Sequence, residues 1–217
     1  ATYTGLSDVI RNLFASVPEA KSAGLTRSHF SFAVKGGRCE DCGGAGVKQI
    51  GMHFLGNVEI PCETCDGKRF QPNVLEIKYH GKNIYEVLEL SFDEALTFFS
   101  EEKKALKYIE QICTLGLGYV KLGQPSTSLS GGEAQRVKLA SELVKSTKNE
   151  VLFILDEPAN GLHAYDVSVL VKALRDLTNK GHTLIAVEHD LRFLAQCDHI
   201  VEIGPGSSEA GGEIIFE

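Results

Sequence analysis

Cys39-Glu40-Asp41-Cys42 and Cys62-Glu63-Thr64-Cys65 are two C-x-x-C pairs separated by 19 residues, each followed two places on by a glycine, Gly44 and Gly67. A C-x-x-C turn lets two thiolates reach one ion, and glycine relieves the backbone where its amides turn toward sulfur. Four thiolates fill a tetrahedral Zn²⁺ shell with no open position, so Cys39, Cys42, Cys62 and Cys65 predict a structural rather than a catalytic zinc. An iron–sulfur site could use the same four ligands. A redox pair would need only one C-x-x-C in a thioredoxin-like context, which is absent here. The other two cysteines, Cys113 and Cys197, lie in apolar helical surroundings and are expected to be buried small hydrophobes.

Three further stretches suit phosphate chemistry. Leu129-Ser130-Gly131-Gly132-Glu133-Ala134-Gln135-Arg136 opens a helix, where a serine hydroxyl and glycine amides make an anion site suited to a γ-phosphate. The same residues read equally as a capping box from Ser130 to Glu133, which is compatible with that role. Val151–Leu155 is an apolar strand that ends in Asp156-Glu157-Pro158. Asp156 suits a water-mediated Mg²⁺ site and Glu157 suits orienting an attacking water, although adjacent acids are also common turn formers. Val187-Glu188-His189-Asp190 ends the next strand. A lone histidine is more often structural, but His189 is placed to reach a γ-phosphate beside Glu157. No G-x-x-x-x-G-K-[ST] loop occurs, and Gly67-Lys68 and Gly81-Lys82 lack its other residues.

Positioning these residues requires a mixed architecture. The pattern predicts an amphipathic helix over 6–16 and a strand over 30–34. A strand pair, 52–55 with 58–60, is expected to be joined by Gly56-Asn57, and another strand covers 75–79. Helices are expected over 84–88, 92–99, 104–115 and 131–146. From residue 151, strands 151–155, 183–187 and 200–203 alternate with helices 165–179 and 191–195, and a last strand covers 213–216. That order argues a parallel α/β layer in the last third.

The 217 residues, 43% hydrophobic, suffice for one sizeable core with a small satellite module. No apolar run approaches the ~20 residues of a membrane span, and no secretory signal opens the chain. The first residues, Ala1-Thr2-Tyr3-Thr4-Gly5, read like the middle of a longer protein. The net charge is -7, but by segment it is 0 over 1–26, +2 over 27–82 and -9 over 83–217. That distribution permits a nucleic-acid surface on the first third, where an ordinary solvated surface fits as well.

Taken together, the motifs resemble the ABC ATPase set of signature, Walker B with catalytic glutamate, D-loop and switch histidine. Within that superfamily the chain resembles the carboxyl-terminal half of the UvrA family, damage-recognition subunits of bacterial nucleotide excision repair. Supporting stretches include Gly36-Gly37-Arg38-Cys39, Met52-His53-Phe54-Leu55, Leu122-Gly123-Gln124 and Gly161-Leu162-His163. The twin C-x-x-C-x-G units are also similar to the zinc region of Hsp40-type chaperones, which has four where this chain has two. The resemblance implies an α/β fold, a partial ABC-type (P-loop NTPase-like) lobe with a helical signature region and an inserted zinc module. Its expected boundaries are 1–38 (start of the signature region), 39–70 (zinc module), 71–150 (helical signature region) and 151–217 (ATPase lobe).

The resemblance further implies ATP, Mg²⁺ and structural Zn²⁺. Asp156, Glu157 and His189 are expected to serve one composite ATP site. Ser130, Gly131 and Gly132, with Glu133 and Gln135, are expected to complete another. It implies double-stranded DNA as partner, with Arg11, Lys21, Arg27, Lys35, Arg38, Lys68 and Arg69 as basic residues to test. A UvrB-like partner bound through the family's first half, a full-length homodimer, a cytoplasmic location and no membrane association complete the expectation. The family's P-loop and Q-loop lie upstream of this stretch, so the isolated chain is expected to bind ATP poorly and to be inactive. One departure stands in the D-loop: Pro158-Ala159-Asn160-Gly161 where the family usually reads Pro-Thr-Thr-Gly. Rival readings are a UvrA-like drug-resistance paralogue, a transporter nucleotide-binding subunit and a non-hydrolysing zinc scaffold.

Overall fold

The computed structural model describes residues 5–52, 56–144, 150–206 and 211–217. Helix α1 (Leu6–Ser16) buries Leu6, Ile10 and Phe14 at the spacing the sequence displays. It is followed by a short α2 (Pro18–Ser22), entered through Pro18 at its first turn. The predicted strand at 30–34 is instead a series of turns, with Ser31 N bonded to Ser28 O and Val34 N to Ser31 O. The alternation there has another cause. Phe30 is buried 5.4 Å from the ring of Phe14, while Phe32 lies under the Arg69 guanidinium.

A ribbon of β1 (Val47–Met52) and β2 (Gly56–Pro61) projects from the cysteine turns, with Val47 opposite Pro61 and Met52 opposite Gly56. Gly56-Asn57 is therefore part of β2 rather than the connection. Residues 53–55, assigned to the first strand from sequence, lie outside the described residues. The ribbon's register is set at its other end, where Cys62 N bonds Gly46 O between the two cysteine turns. Of the strand expected over 75–79 only two residues form one, β3 (Lys78–Tyr79), paired to β4 (Lys82–Asn83); Leu75 instead ends the short helix α3 (Pro72–Leu75).

Helices α4 (Ile84–Leu88) and α5 (Phe92–Phe98) each open with a complete capping box, Asn83 with Glu86 and Ser91 with Glu94. Helix α6 (Lys103–Thr114) buries Ala105, Ile109 and Ile112 and packs on α1, α5, α7 (Gly131–Val144) and α8 (Ala164–Asn179). It is the hub of one continuous core that runs from Leu6 to Phe193.

In the last third, β5 (Leu152–Asp156) and β6 (Thr183–Val187) pair in parallel, with α8 as the connecting helix. Helix α9 (Leu191–Leu194) follows, with Asp190 as its N-cap. The later strands do not extend that layer among the described residues: β7 (Glu202–Gly204) and β8 (Glu213–Phe216) form an antiparallel pair of their own. Cys197 is exposed, against the expectation of burial, because it follows the short α9 at the surface. Cys113 is half-buried on α6, and burial pushes its thiol up to about 12.

Candidate metal centre and nucleotide site

The two cysteine turns have matching backbone geometry. Gly44 N bonds Cys39 O and Ala45 N bonds Cys42 O, while Gly67 N bonds Cys62 O and Lys68 N bonds Cys65 O. In each turn an amide also points at the second sulfur, Gly46 N at Cys42 Sγ (3.2 Å) and Arg69 N at Cys65 Sγ (3.4 Å). All four sulfurs lie within 4.8 Å of one another. The separations of 4.0 Å for Cys39–Cys62 and 3.8 Å for Cys42–Cys65 are far too long for disulfides. They suit a tetrahedron whose ~2.3 Å Zn–S bonds require sulfurs about 3.8 Å apart. Burial pushes the Cys65 thiol up to about 12, whereas the Gly46 and Gly44 amides overcome burial and bring Cys42 down to about 7. Such a thiol cluster becomes fully ionised only with a cation at its centre. The donor set therefore fits Zn²⁺.

Outside the sulfurs, Asp41 accepts from Thr64 Oγ1 at 2.6 Å and pairs with Lys48 at 2.8 Å, linking both turns to the ribbon. Arg69, at φ 72°, joins the module to the helical body. Its Nε donates to Gly44 O (3.1 Å), its Nη1 donates to Gly123 O (3.2 Å), and its guanidinium lies 4.1 Å from the centre of the Phe32 ring. Of the seven basic residues marked for DNA, Arg69 is thus committed internally. Arg11 and Arg27 both pair with Asp8, Arg38 lies 3.6 Å from Glu40, and Lys68 lies 3.3 Å from Asp66. Lys21 and Lys35 are exposed. Arg38, Lys68 and Arg69 gather at the cysteine module, whereas Arg11 and Arg27 meet on α1.

The helix α7 motif folds as a reciprocal cap: Glu133 N donates to Ser130 Oγ (3.3 Å) and Ser130 N to Glu133 Oε2 (2.7 Å). Tyr119 also donates to Glu133, and that bond, together with the Ser130 amide, holds the Glu133 carboxyl below its ordinary range. One turn on, α7 is fastened to the strand that carries the acids. The Gln135 amide lies 2.8 Å from both Asp156 O and Asp156 N, and the orientation that satisfies both has its nitrogen donating to Asp156 O and its oxygen accepting from Asp156 N. Arg136 is 3% exposed and donates from Nη1 to Pro158 O at 3.3 Å. Glu133 and Gln135, marked from sequence as nucleotide-binding, thus spend these groups on internal bonds.

This fastening brings Gly131, Gly132, Gln135, Asp156, Glu157 and Asn160 around one cleft of about 310 Å³. A second cleft, about 400 Å³, shares Glu157 and Asn160 and adds Glu188 and His189. Glu157 occupies left-handed backbone, φ 43°, a region costly for a residue with a side chain and frequent at functional sites. Its amide continues the ladder onto Val187 O (2.8 Å), so the two acids stand where β5 and β6 end together. The side chains of Asn160, Arg136 and Glu188 escaped sequence reasoning. Only the unusual Asn160 gave a signal, as a departure in the D-loop.

An apolar parallel strand ending in paired acids, a glycine-opened helix docked on it and a histidine two residues past the neighbouring strand define part of an ABC-type ATPase fold. A tetracysteine module is joined to it. The comparisons with known proteins give the particular relative. The chain is 51% identical over 215 residues to UvrABC system protein A of Streptococcus pyogenes, covering 99% of this chain and 23% of the relative. It is 49% identical over 217 residues to UvrABC system protein A of Methanothermobacter thermautotrophicus, covering 100% and 23%. The crystal structure of UvrA2 from Deinococcus radiodurans superposes with a TM-score of 0.92 at 47% identity, covering 100% of this chain and 26% of that one. No family model matches. In sequence and fold the chain is similar to a segment of UvrABC system protein A, and it spans about a quarter of the length of the curated relatives it matches.

Proposed function

We propose that this segment works within a UvrA-like ABC ATPase that binds double-stranded DNA and recognises damage in nucleotide excision repair. ATP binding and hydrolysis in the whole protein would control DNA engagement. The observation that carries this reading is the pair of acids, Asp156 and Glu157, at the end of β5 beside a cleft lined by Glu157 and His189, in a chain that also carries a tetracysteine cluster. Asp156 would hold Mg²⁺, Glu157 would orient the attacking water and His189 would face the γ-phosphate. Ser130 with the Gly131 and Gly132 amides would complete a second site across an interface. Bound Mg²⁺ supplies neutralising charge to the phosphates. Cys39, Cys42, Cys62 and Cys65 would hold structural Zn²⁺ in a module over 39–70, between a signature region (1–38 and 71–150) and an ATPase lobe (151–217).

DNA contact would fall to Arg11, Lys21, Arg27, Lys35, Arg38 and Lys68, with Arg69 in a supporting role. A UvrB-like partner, a homodimer and a cytoplasmic setting accompany this reading. Among the described residues no helix is long and apolar enough to cross a membrane. Because no P-loop stands in these 217 residues, the segment alone would bind MgATP weakly. Isothermal titration tests this: micromolar MgATP affinity of the segment overturns the division of the site. In the full-length protein, reversing charge at Arg38 and Lys68 should weaken DNA binding and flatten its salt dependence. Unchanged affinity across a salt series removes these residues from the DNA surface.

A further inference from the structure

We infer that Asn160 is a positioning residue for Glu157, gripping one oxygen of its carboxylate and leaving the other to face a reactant. The Asn160 Nδ2 donates to Glu157 Oε2 at 2.9 Å, and the Asn160 amide bonds Glu157 O at 3.0 Å, closing the turn that brings the two together. Both residues are exposed, so without this bond the Glu157 side chain would spread over several rotamers. The grip works because the turn itself is held from two sides. From the helix, Arg136 donates to Pro158 O at 3.3 Å. From the end of β6, Glu188 Oε2 accepts from Ala159 N at 3.0 Å, while its Oε1 accepts from His189 N at 3.0 Å and Asp190 N at 3.2 Å.

One carboxylate thus ties the turn after Glu157 to the backbone that carries His189. Ala159 is 4% exposed, so the residue before Asn160 is packed as well as bonded. Gly132 completes the enclosure: a Cβ there would lie 3.2 Å from Asn160 O, so the helix opening abuts the same residue. A preorganised amide on a fixed turn orients a carboxylate at little cost when a reactant arrives. Threonine, whose hydroxyl is one bond closer to the backbone than the asparagine amide, does not reproduce this reach.

The inference rests on the ATPase reading, so its test carries a control for that reading. In the full-length protein, steady-state ATP hydrolysis is compared for wild type, Glu157→Gln, Asn160→Ala, Asn160→Asp and Asn160→Gln, each checked by thermal melting. Glu157→Gln should abolish turnover. Asn160→Ala should lower kcat about tenfold, the scale of one charge-assisted hydrogen bond, with the KM for MgATP within about twofold of wild type. Asn160→Asp, the same shape without the donor, should lose at least as much, and Asn160→Gln, which keeps the donor, should recover part of the loss. Wild-type kcat in Asn160→Ala beside an inactive Glu157→Gln overturns the positioning role and leaves the ATPase reading standing. A loss confined to KM overturns it equally, since Asn160 would then act in binding. Absence of hydrolysis in the wild type overturns both.

Discussion

Single residues decide whether the four sulfurs can gather. Each sulfur belongs to a turn whose amides point inward, and the turns tolerate only certain neighbours. Gly44 has φ 85°, and a Cβ there would stand 1.8 Å from Phe32 O, inside any contact distance. Gly43 has φ 62° but faces open space. Gly44→Ala should therefore cost more than 2 kcal/mol, or prevent folding of the module, while Gly43→Ala should cost only about 1 kcal/mol of backbone strain. Urea midpoints of the two variants measure the difference, and equal midpoints would remove the close approach from the account. Removing the metal acts at the same scale. Chelation should release one zinc per chain and lower the melting temperature, and Cys62→Ser should copy both effects without chelator. Atomic emission on the purified chain reads the stoichiometry.

Among the elements, α7 and the cysteine module owe their placement to buried or half-buried arginines. Arg69 spends two donors and a ring contact on joining residues 44, 123 and 32, and burial pulls its guanidinium pKa below the usual value. Arg69→Ala should cost about 2–3 kcal/mol, and Arg69→Lys should recover little, because a lysine ammonium offers neither the fork nor the stacking plane. A full rescue by lysine in thermal melts would reduce the residue to a simple charge. Helix α9 gives a pH-dependent case. Asp190 caps it, and the Arg192 guanidinium holds the Asp190 carboxyl down to about 2 against an ordinary 3.8. A depressed folded value means the cap's contribution is complete above about pH 4 and is lost as the pH falls toward 2. Asp190→Asn should flatten that part of the acid-unfolding profile, measured by circular dichroism.

Helix existence was legible at this scale where local chemistry is self-sufficient. The helices expected over 84–88 and 92–99 stand as α4 and α5, and the structure adds the caps that open them, Asn83 with Glu86 and Ser91 with Glu94. The stretch Phe30–Val34 is turns where a strand is expected, because two aromatics alternating with small residues look like one face of a strand. Their partners, Phe14 and Arg69, come from distant parts of the chain.

Over the whole molecule, the parallel pair of β5 and β6 is covered on one side only by the described residues. Phe153, Leu155, Leu184 and Ala186 pack into the core, whereas Leu152, Ile154, Ile185 and Val187 are 54%, 70%, 53% and 54% exposed. Near-continuous apolar strands of this kind belong in sheets covered on both faces. The hairpin of β7 and β8 adds Ile203, Ile214 and Phe216 to the exposed apolar surface. The segment by itself should therefore associate as its concentration rises. An Ile154→Lys, Ile185→Lys pair should keep it monomeric in sedimentation velocity, and association undiminished by the pair would place the sticky surface elsewhere.

The sequence by itself determined which four cysteines gather and the order of the stretches suited to phosphate chemistry. Both depend on residue type and short spacing, which a chain displays before it folds. It also determined the parallel pair, since two apolar runs flanking an amphipathic helix have few other ways to bury their faces. Only the tertiary structure decided how the motifs act on one another. Gln135 meets the Asp156 backbone, Arg136 meets Pro158, Glu188 meets Ala159, and Asn160 grips Glu157. Most of those bonds end on backbone groups, which are the same at every residue. No sequence pattern announces them, and only packing α7, β5 and β6 together selects the amide or carbonyl each side chain reaches.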